Sequence, residues 1–252
     1  MSVLKNRLRA TSIRLAFSAL IACALAGVIF LVWYPYPYRE ISGGRQLFFI
    51  VVAVDVILGP FITLMIFDLR KGWPVLRKDL AMVVAVQLLA LCYGIWTVHA
   101  ARPVHLVFEY DRFRVVHAAD MDSGVAGSIA KDFPQSARSG PTLVALRELT
   151  EQDRAKYTVQ NVTGVLELSQ QPELWMSYDS ARRRVLKAAE PLESLKRRKP
   201  EHATTIDAEV KATGLNAAGL VALPLAGRDE FWTVILDGQT AEPVIYLKVD
   251  PF

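Results

Sequence analysis

Three long apolar stretches constrain the fold of this 252-residue chain more than any other feature. Residues 15–34 form twenty consecutive positions without a charge, residues 47–67 are interrupted only by Asp55, and residues 80–98 carry no charged side chain. At about 1.5 Å of rise per residue, a helix of this length crosses a hydrocarbon core of about 30 Å. The pattern predicts three transmembrane helices within a membrane domain of residues 1–100.

The distribution of charge predicts how this domain is oriented. Residues 1–100 hold 10 Lys and Arg against 4 Asp and Glu, whereas residues 101–252 hold 19 against 21. This distribution is not typical of a nucleic-acid-binding protein. The positive-inside rule places the basic segments in the cytoplasm. We therefore expect a multi-pass membrane protein with a cytoplasmic N-terminus and with residues 101–252 on the far side of the membrane, which is the periplasm in a Gram-negative bacterium. The basic residues on the cytoplasmic side are Lys5, Arg7, Arg9, Arg14, Arg70, Lys71, Arg77 and Lys78.

The exported part reads as an α+β domain. Two β-rich runs flank Asp111-Arg112 and predict a hairpin directly after the third apolar stretch. Three further β-rich runs close the chain, and they predict an antiparallel sheet that pairs the first hairpin with the terminal strands. Helical signals lie between them, including Leu143, Leu146 and Leu149 at helical spacing and a capping box at Thr150 and Asp153. The predicted strands cover residues 104–110, 113–117, 220–225, 231–236 and 244–249, and the predicted helices 179–190, 191–199 and 205–212.

Signals for catalysis, cofactors and metals are absent from the sequence. It contains no phosphate-binding glycine pattern and no nucleophile elbow, and both cysteines, Cys23 and Cys92, lie within predicted spans. A turn at Asp111-Arg112 would place His105 and His117 on opposite faces of the sheet, which disfavours a shared metal ion. We expect ordinary surface or edge histidines, no cofactor and no enzymatic activity.

Asp55 is the candidate interaction residue, because a carboxylate within hydrocarbon costs about 2.5 to 3.5 kcal/mol. Gly59 and Thr63 fall on the same helix face, and Pro60 frees a backbone carbonyl, so that a polar stripe accompanies Asp55. Counted from the cytoplasmic ends of the predicted helices, Tyr93 lies at the depth of Asp55 and is its best partner within the bundle.

Two interpretations of Asp55 remain open. A protonated carboxyl could donate one hydrogen bond inside the helix bundle. Alternatively, the polar group could face outwards and recognise a helix of another membrane protein.

Six groups of residues form recognisable motifs along the chain: Trp33-Tyr34-Pro35 with Pro37-Tyr38, Gly43-Gly44, Val54-Asp55 through Leu58-Gly59-Pro60, Arg102-Pro103-Val104, Asp111-Arg112-Phe113 with Val115-Val116, and Asp250-Pro251-Phe252. Together these motifs resemble the type IV pilin accessory family TfpX/TfpZ. The similarity is dense through His117 and extends over nearly the whole chain. The resemblance implies an inner-membrane protein that assists the assembly of type IV pilin, without catalytic activity, and that acts with pilin and other inner-membrane assembly components.

Two other classes of function compete with assembly. The exported domain could bind a ligand and signal through the membrane helices, although a short N-terminus and a loop of about a dozen residues leave no room for a cytoplasmic output domain. A membrane enzyme would need polar residues that converge on Asp55, and the sequence does not supply them.

Overall fold

The structure is a computed structural model, and it describes residues 2–53, 73–121, 140–162, 167–228 and 230–252. The chain divides into two compact units, Met1–Arg102 and Pro103–Phe252. We call them the helical unit and the sheet unit.

The described part of the helical unit consists of helices. The first, α1 (Ser2–Val28), continues into a π-helical turn at Ile29–Trp33, and two shorter helices follow. The last is a long apolar helix that closes the unit. The buried centre of the unit is formed by Ile29, Tyr34 and Val98, with Leu47 and Val51 packed against them. The remaining helices are α2 (Tyr38–Ile41), α3 (Gly44–Val52) and α4 (Trp73–Ala100).

The prediction of three transmembrane helices is wrong. Among the described residues, one helix, Arg77–Ala100, is long and apolar enough to cross a membrane, judged by length and composition. Within the first predicted span, the apolar helix found among the described residues is shorter, Ser18–Trp33. Most of the second, residues 54–67, lies outside the described residues.

The sheet unit is built on one eight-stranded mixed sheet. Seven strands follow the spatial order β4-β3-β1-β2-β6-β7-β8, and β5 pairs separately with β6. The first half of the sheet consists of β4, β3, β1 and β2, and the second half of β6, β7 and β8. Five pairs of the described strands are antiparallel: β1 with β2, β3 with β4, β5 with β6, β6 with β7, and β7 with β8. The strands are β1 (Pro103–Glu109), β2 (Arg112–His117), β3 (Thr142–Leu146), β4 (Trp175–Ser177), β5 (Glu190–Pro191), β6 (Leu220–Ala226), β7 (Phe231–Asp237) and β8 (Pro243–Leu247).

The predicted all-antiparallel sheet is therefore also a wrong prediction. The first hairpin does pair with the terminal strands, but β2 runs parallel to β6, and β1 runs parallel to β3. Parallel neighbours need a long crossover connection, and the segment between β2 and β6 is long enough to provide one. The propensity of residues to form strands does not reveal whether two strands run parallel or antiparallel, since the same residues favour both arrangements.

The hairpin of β1 and β2 turns one residue earlier than predicted. Glu109 pairs with Arg112, so Tyr110 and Asp111 form the turn, and Tyr110 adopts a left-handed backbone with φ of 59°. This earlier turn, together with a register shift between Pro103 and His105, places His117 opposite Pro103 rather than Leu106. Both histidines of the hairpin are buried, which corrects the expectation of surface or edge positions.

Two hydrophobic clusters form the core of the sheet unit. One packs Val107, Val116 and Val144 of the first half against Tyr157 and Trp175. The other packs the second half against two helices, through Leu192, Leu195, Ile206 and Val210 among others. Separate from both, the hydroxyl of buried Tyr178 donates to the carbonyl of Ala241. The helices of this unit are α5 (Glu151–Val162), α6 (Tyr178–Ala188), α7 (Leu192–Arg198) and α8 (Ala203–Thr213).

Local sequence signals differ in how well they predicted this unit. The capping box is confirmed, since the Thr150 backbone N–H donates to Asp153 Oδ2 over 2.9 Å and the Asp153 N–H donates to Thr150 Oγ1 over 3.2 Å. The helical spacing of Leu143 and Leu146 is misleading, because they lie on strand β3. That strand contains only five residues, too few to separate the two periodicities.

Candidate functional site

An apolar groove runs between α3 and α4 of the helical unit. Its cavity has a volume of about 270 Å³. The two helices approach closely at one end, where a Cβ atom added to Gly94 would lie 2.9 Å from Val51 Cγ2. The groove is lined by Leu47, Ile50, Val51, Gln87, Ala90, Leu91, Tyr93, Gly94, Thr97 and Val98.

Tyr93 combines a position in this groove with high exposure. Tyr93 is 69% exposed and Trp96 is 63% exposed. The centroids of their two rings lie 5.9 Å apart. A phenol and an indole side by side form an amphipathic surface of the kind found at protein and membrane interfaces. Tyr93 is thus available for contact with an apolar partner.

The other predicted interaction residues cannot be compared with Tyr93. Asp55, Gly59, Pro60 and Thr63 lie outside the described residues. Their roles, including the pairing of Asp55 with Tyr93, stay predictions.

Tyr34 joins the elements that border the groove. Its buried hydroxyl donates to the backbone carbonyl of Val98 over 3.0 Å. This carbonyl lies in the last turn of α4, where no N–H group of the helix donates to the backbone carbonyls. The Tyr34 ring lies against Gly44, where an added Cβ would come within 2.4 Å of Cδ1. Tyr34 therefore ties α3 to the C-terminal end of α4.

A second cavity, of about 180 Å³, lies in the sheet unit and is polar. We call it the polar pocket. Val115 and Gly227 line it together with the charged and polar side chains of Arg114, His117, Asp120, Glu167, Gln170 and Arg228. Sequence reasoning did not identify this site, because its residues come from three segments separated by about fifty residues or more and form no short motif.

Hydrogen bonds fix the two acidic groups of the polar pocket. Asp120 Oδ2 accepts from the His117 backbone N–H over 3.1 Å and from His117 Nδ1 over 3.0 Å. Although burial opposes it, hydrogen bonding to His117 lowers the pKa of Asp120. Glu167 Oε2 pairs with Arg114 Nη1 over 3.0 Å. Burial raises the pKa of Glu167, and the charges of Glu109 and Asp120 add to this effect while Arg114 opposes it.

His105 lies elsewhere in the same unit and is fully buried. Its Nδ1 is 2.6 Å from Thr142 Oγ1, and its ring packs edge-on against Trp175 with centroids 4.5 Å apart. Burial lowers the pKa of His105 to about 4, so its ring is neutral at neutral pH. Within the described ranges, no group of three His, Cys, Asp or Glu side chains could hold a metal ion.

Comparison with known proteins assigns a family to the chain. A fimbrial assembly protein of Dichelobacter nodosus, serogroup I, is 33% identical over 229 residues, which cover 90% of this chain and 89% of the relative. This chain belongs to the fimbrial assembly protein family. The serogroup E1 protein of the same organism is 32% identical over the same shares, and the serogroups C1 and C2 protein is 37% identical over 111 residues, 44% of this chain and 85% of the relative.

The family model described as fimbrial assembly protein FimB matches residues 2–43. No solved structure matches the chain. The similarity to fimbrial assembly proteins extends beyond the helical unit, since 229 matched residues exceed the length of either unit. Both units are therefore part of what this chain shares with its relatives.

Proposed function

We propose that this fimbrial assembly protein is an accessory factor that binds the fimbrial subunit at the bacterial inner membrane and acts without catalysis. The observation that carries this proposal is the similarity to the serogroup I relative, which covers nine-tenths of both chains. A match of this extent favours a common role for the whole molecule, in which the helical and the sheet unit act together.

The finer identity that we propose is a type IV pilin accessory protein of the TfpX/TfpZ kind. The motifs that carry the resemblance lie in both units. Tyr34 and Gly44, which belong to two of them, pack against each other in the helical unit. The subunit would then be a type IV pilin, and other inner-membrane assembly components would be further partners.

The exposed surface of α4 supports a location in the membrane. Leu89, Met82 and Tyr93 are about 70% exposed, an arrangement that water disfavours and lipid tolerates. Arg77 and Lys78 lie near the N-terminal end of this helix, so the positive-inside rule favours a cytoplasmic N-terminal end and a periplasmic sheet unit.

The groove between α3 and α4 is the surface that we propose for the subunit. Its lining is apolar apart from Gln87, Tyr93 and Thr97. An apolar helix of a fimbrial subunit fits such a surface, because helices in a membrane associate through close packing and a few hydrogen bonds. Gly94 adds a small residue at which two helices already approach closely.

The test uses a fimbriated strain that lacks this protein and expresses either wild type or a variant. Tyr93→Ala is expected to reduce surface fimbriae and co-purified subunit severalfold at an unchanged protein level, since it removes the largest exposed side chain of the groove. Leu89→Ala is the matched control, because Leu89 is 72% exposed on the same helix and does not line the groove. Normal fimbriation with Tyr93→Ala would refute the groove as the binding surface.

Site-specific photo-crosslinking provides a direct measurement of contact. A crosslinker at position 93 is expected to capture the fimbrial subunit, and one at position 89 to capture far less. Equal capture at both positions would indicate lipid exposure rather than a binding site.

A reporter that is active only outside the cytoplasm, fused after Phe252, tests the orientation of the protein in the membrane. An inactive fusion would overturn the periplasmic placement of the sheet unit.

A further inference from the structure

Gln87 lies deeper in the proposed membrane than the other polar side chains of the groove. It stands ten residues after Arg77 and thirteen before Ala100, the two ends of the apolar helix segment. At about 1.5 Å of rise per residue, these separations are about 15 Å and about 20 Å, which places Gln87 near the middle of a hydrocarbon core of about 30 Å. From this depth its side chain is too short to reach the headgroups.

Thr97 and Tyr93, the other polar side chains of the groove, do not need a partner protein for their hydroxyl groups. The Thr97 hydroxyl donates to the backbone carbonyl of Tyr93 over 2.9 Å. Tyr93 lies six residues closer to Ala100 than Gln87 does and is 69% exposed, so its long side chain directs the hydroxyl towards the headgroups. Gln87 differs from both residues in depth and in reach.

The amide of Gln87 is partly buried and unpaired. It lines the groove, and among the described residues it forms no hydrogen bond. A primary amide carries two donors and an acceptor, and covering it without hydrogen bonds costs free energy. A helix that fills the groove covers Gln87. Such a helix meets this cost unless it supplies the missing hydrogen bonds.

The position in hydrocarbon limits the kind of group that can supply them. An ionised side chain is a poor partner, because a charge at this depth is costly and a neutral amide does not compensate it. A hydroxyl forms one hydrogen bond with the amide. A second amide, or a protonated carboxyl, donates and accepts at the same time and forms two parallel hydrogen bonds with it.

We propose that Gln87 selects the helix that enters the groove, by pairing with an amide or a protonated carboxyl near the middle of the membrane-spanning part of that helix. This inference rests on the proposed function, because the helix is that of the fimbrial subunit. Ala90 lines the groove one turn from Gln87 and is exposed, and its short side chain lets a second helix approach closely enough to form the pair.

Photo-crosslinking in the fimbriated strain, with the crosslinker at position 90, tests this pairing. Gln87→Met keeps the size of the side chain and removes its hydrogen bonds, so it should lower capture of the subunit about three- to tenfold at an unchanged protein level. Leu91→Met is the matched control, because it places the same side chain one turn away in the same groove and should leave capture unchanged. Unchanged or stronger capture with Gln87→Met would overturn the proposal, since a partner without a polar group gains when the amide is lost.

Substitutions in the subunit locate the partner group and leave this protein unaltered. Each amide or acidic side chain of the subunit's apolar helix is replaced in turn by an apolar residue of similar size. One replacement should lower capture by the same factor as Gln87→Met, and the two changes together should lower it no further. Losses that multiply would contradict the pairing. A loss for none of the replacements would contradict it even if Gln87→Met fails to accumulate.

An acidic partner residue is distinguished from an amide by a further change in the subunit. Replacement of that acid by the corresponding amide should retain full capture, because a protonated carboxyl and an amide form the same pair of hydrogen bonds with Gln87. A loss of capture with this replacement would indicate an ionised partner and would overturn the neutral pair.

The role of Gln87 and the proposed function fail in different ways. If wild type captures no subunit from positions 90 and 93, the groove is not the binding surface, and both proposals are refuted. If wild type captures the subunit and Gln87→Met captures as much, the groove binds the subunit through apolar packing, and only the role of Gln87 is refuted.

Discussion

The helical unit and the sheet unit contain the same kinds of apolar side chains and place them in opposite environments. In the helical unit Trp96 is 63% exposed and Met82 is 71% exposed, whereas in the sheet unit Trp232 is 1% exposed and Phe113 is fully buried. The sheet unit thus carries its own core. The helical unit leaves much of its apolar surface for lipid or another protein to cover, so the two units should respond differently to identical substitutions.

The largest expected effect contrasts two tryptophans. Trp232→Ala should lower the free energy of unfolding of the sheet unit by about 3 to 5 kcal/mol, because it leaves a cavity in a packed core. Trp96→Ala should change stability in detergent by less than about 0.5 kcal/mol, since an exposed side chain leaves no cavity. Denaturant unfolding of the full-length variants measures both, and equal losses would mean that the two units do not differ in this way.

The next largest expected effect is a dependence of stability on pH, which His105 causes. Burial lowers its pKa from 6.5 to about 4, so the unfolded chain takes up a proton first as the pH falls. Stability of the sheet unit should therefore decline between pH 6.5 and 4, by up to about 3 kcal/mol at the lower end. Unfolding curves of His105→Gln across this range should be flatter than those of wild type, and parallel curves would contradict the buried neutral histidine.

A pair of glycine substitutions tests how tightly the helical unit is packed. Gly44→Ala should destabilise it by about 1 to 3 kcal/mol, because the new Cβ would lie 2.4 Å from the ring of Tyr34. Gly27→Ala is the control, since nothing lies within 4 Å of its added Cβ and alanine favours a helix interior. Thermal unfolding in detergent should show opposite signs, and two equal shifts would argue against this contact.

The smallest effect concerns the hydroxyl of Tyr34. Tyr34→Phe removes the donor to the Val98 carbonyl and should cost about 1 kcal/mol. The loss should appear as faster hydrogen exchange in the last turn of α4, with no change in the sheet unit. If Tyr34→Phe exchanges in that turn at the same rate as wild type, this hydrogen bond does not hold the end of the helix.

The elements were more predictable than their assembly. The helices at residues 179–190, 191–199 and 205–212 and the three terminal strands are confirmed to within a few residues, because the stop at Gly214, the prolines and the β-branched runs act locally. The short strand β3 was predicted as a helix, since five residues cannot distinguish the two periods. Three spans were predicted, whereas among the described residues one helix is long and apolar enough to cross a membrane.

The two candidate sites likewise differ in how far the sequence predicts them. Tyr93 was selected from the sequence as a partner of Asp55, because depth along a helix depends only on its rise per residue. That pairing stays a prediction, and the structure shows that Tyr93 lines an apolar groove. The polar pocket could not be selected. Arg114, Glu167 and Arg228 have no mutual spacing that a sequence pattern would reveal.

The sequence by itself determined that one part of this protein is apolar and helical and that the other alternates between strands and helices, because side-chain hydropathy and backbone propensity are properties of short segments. The tertiary structure alone decided that β2 lies parallel to β6, that His105 and His117 are buried, and that a polar cavity opens where those two strands part. These features depend on which distant segments become neighbours. That choice minimises the free energy of the whole packed chain rather than that of any segment.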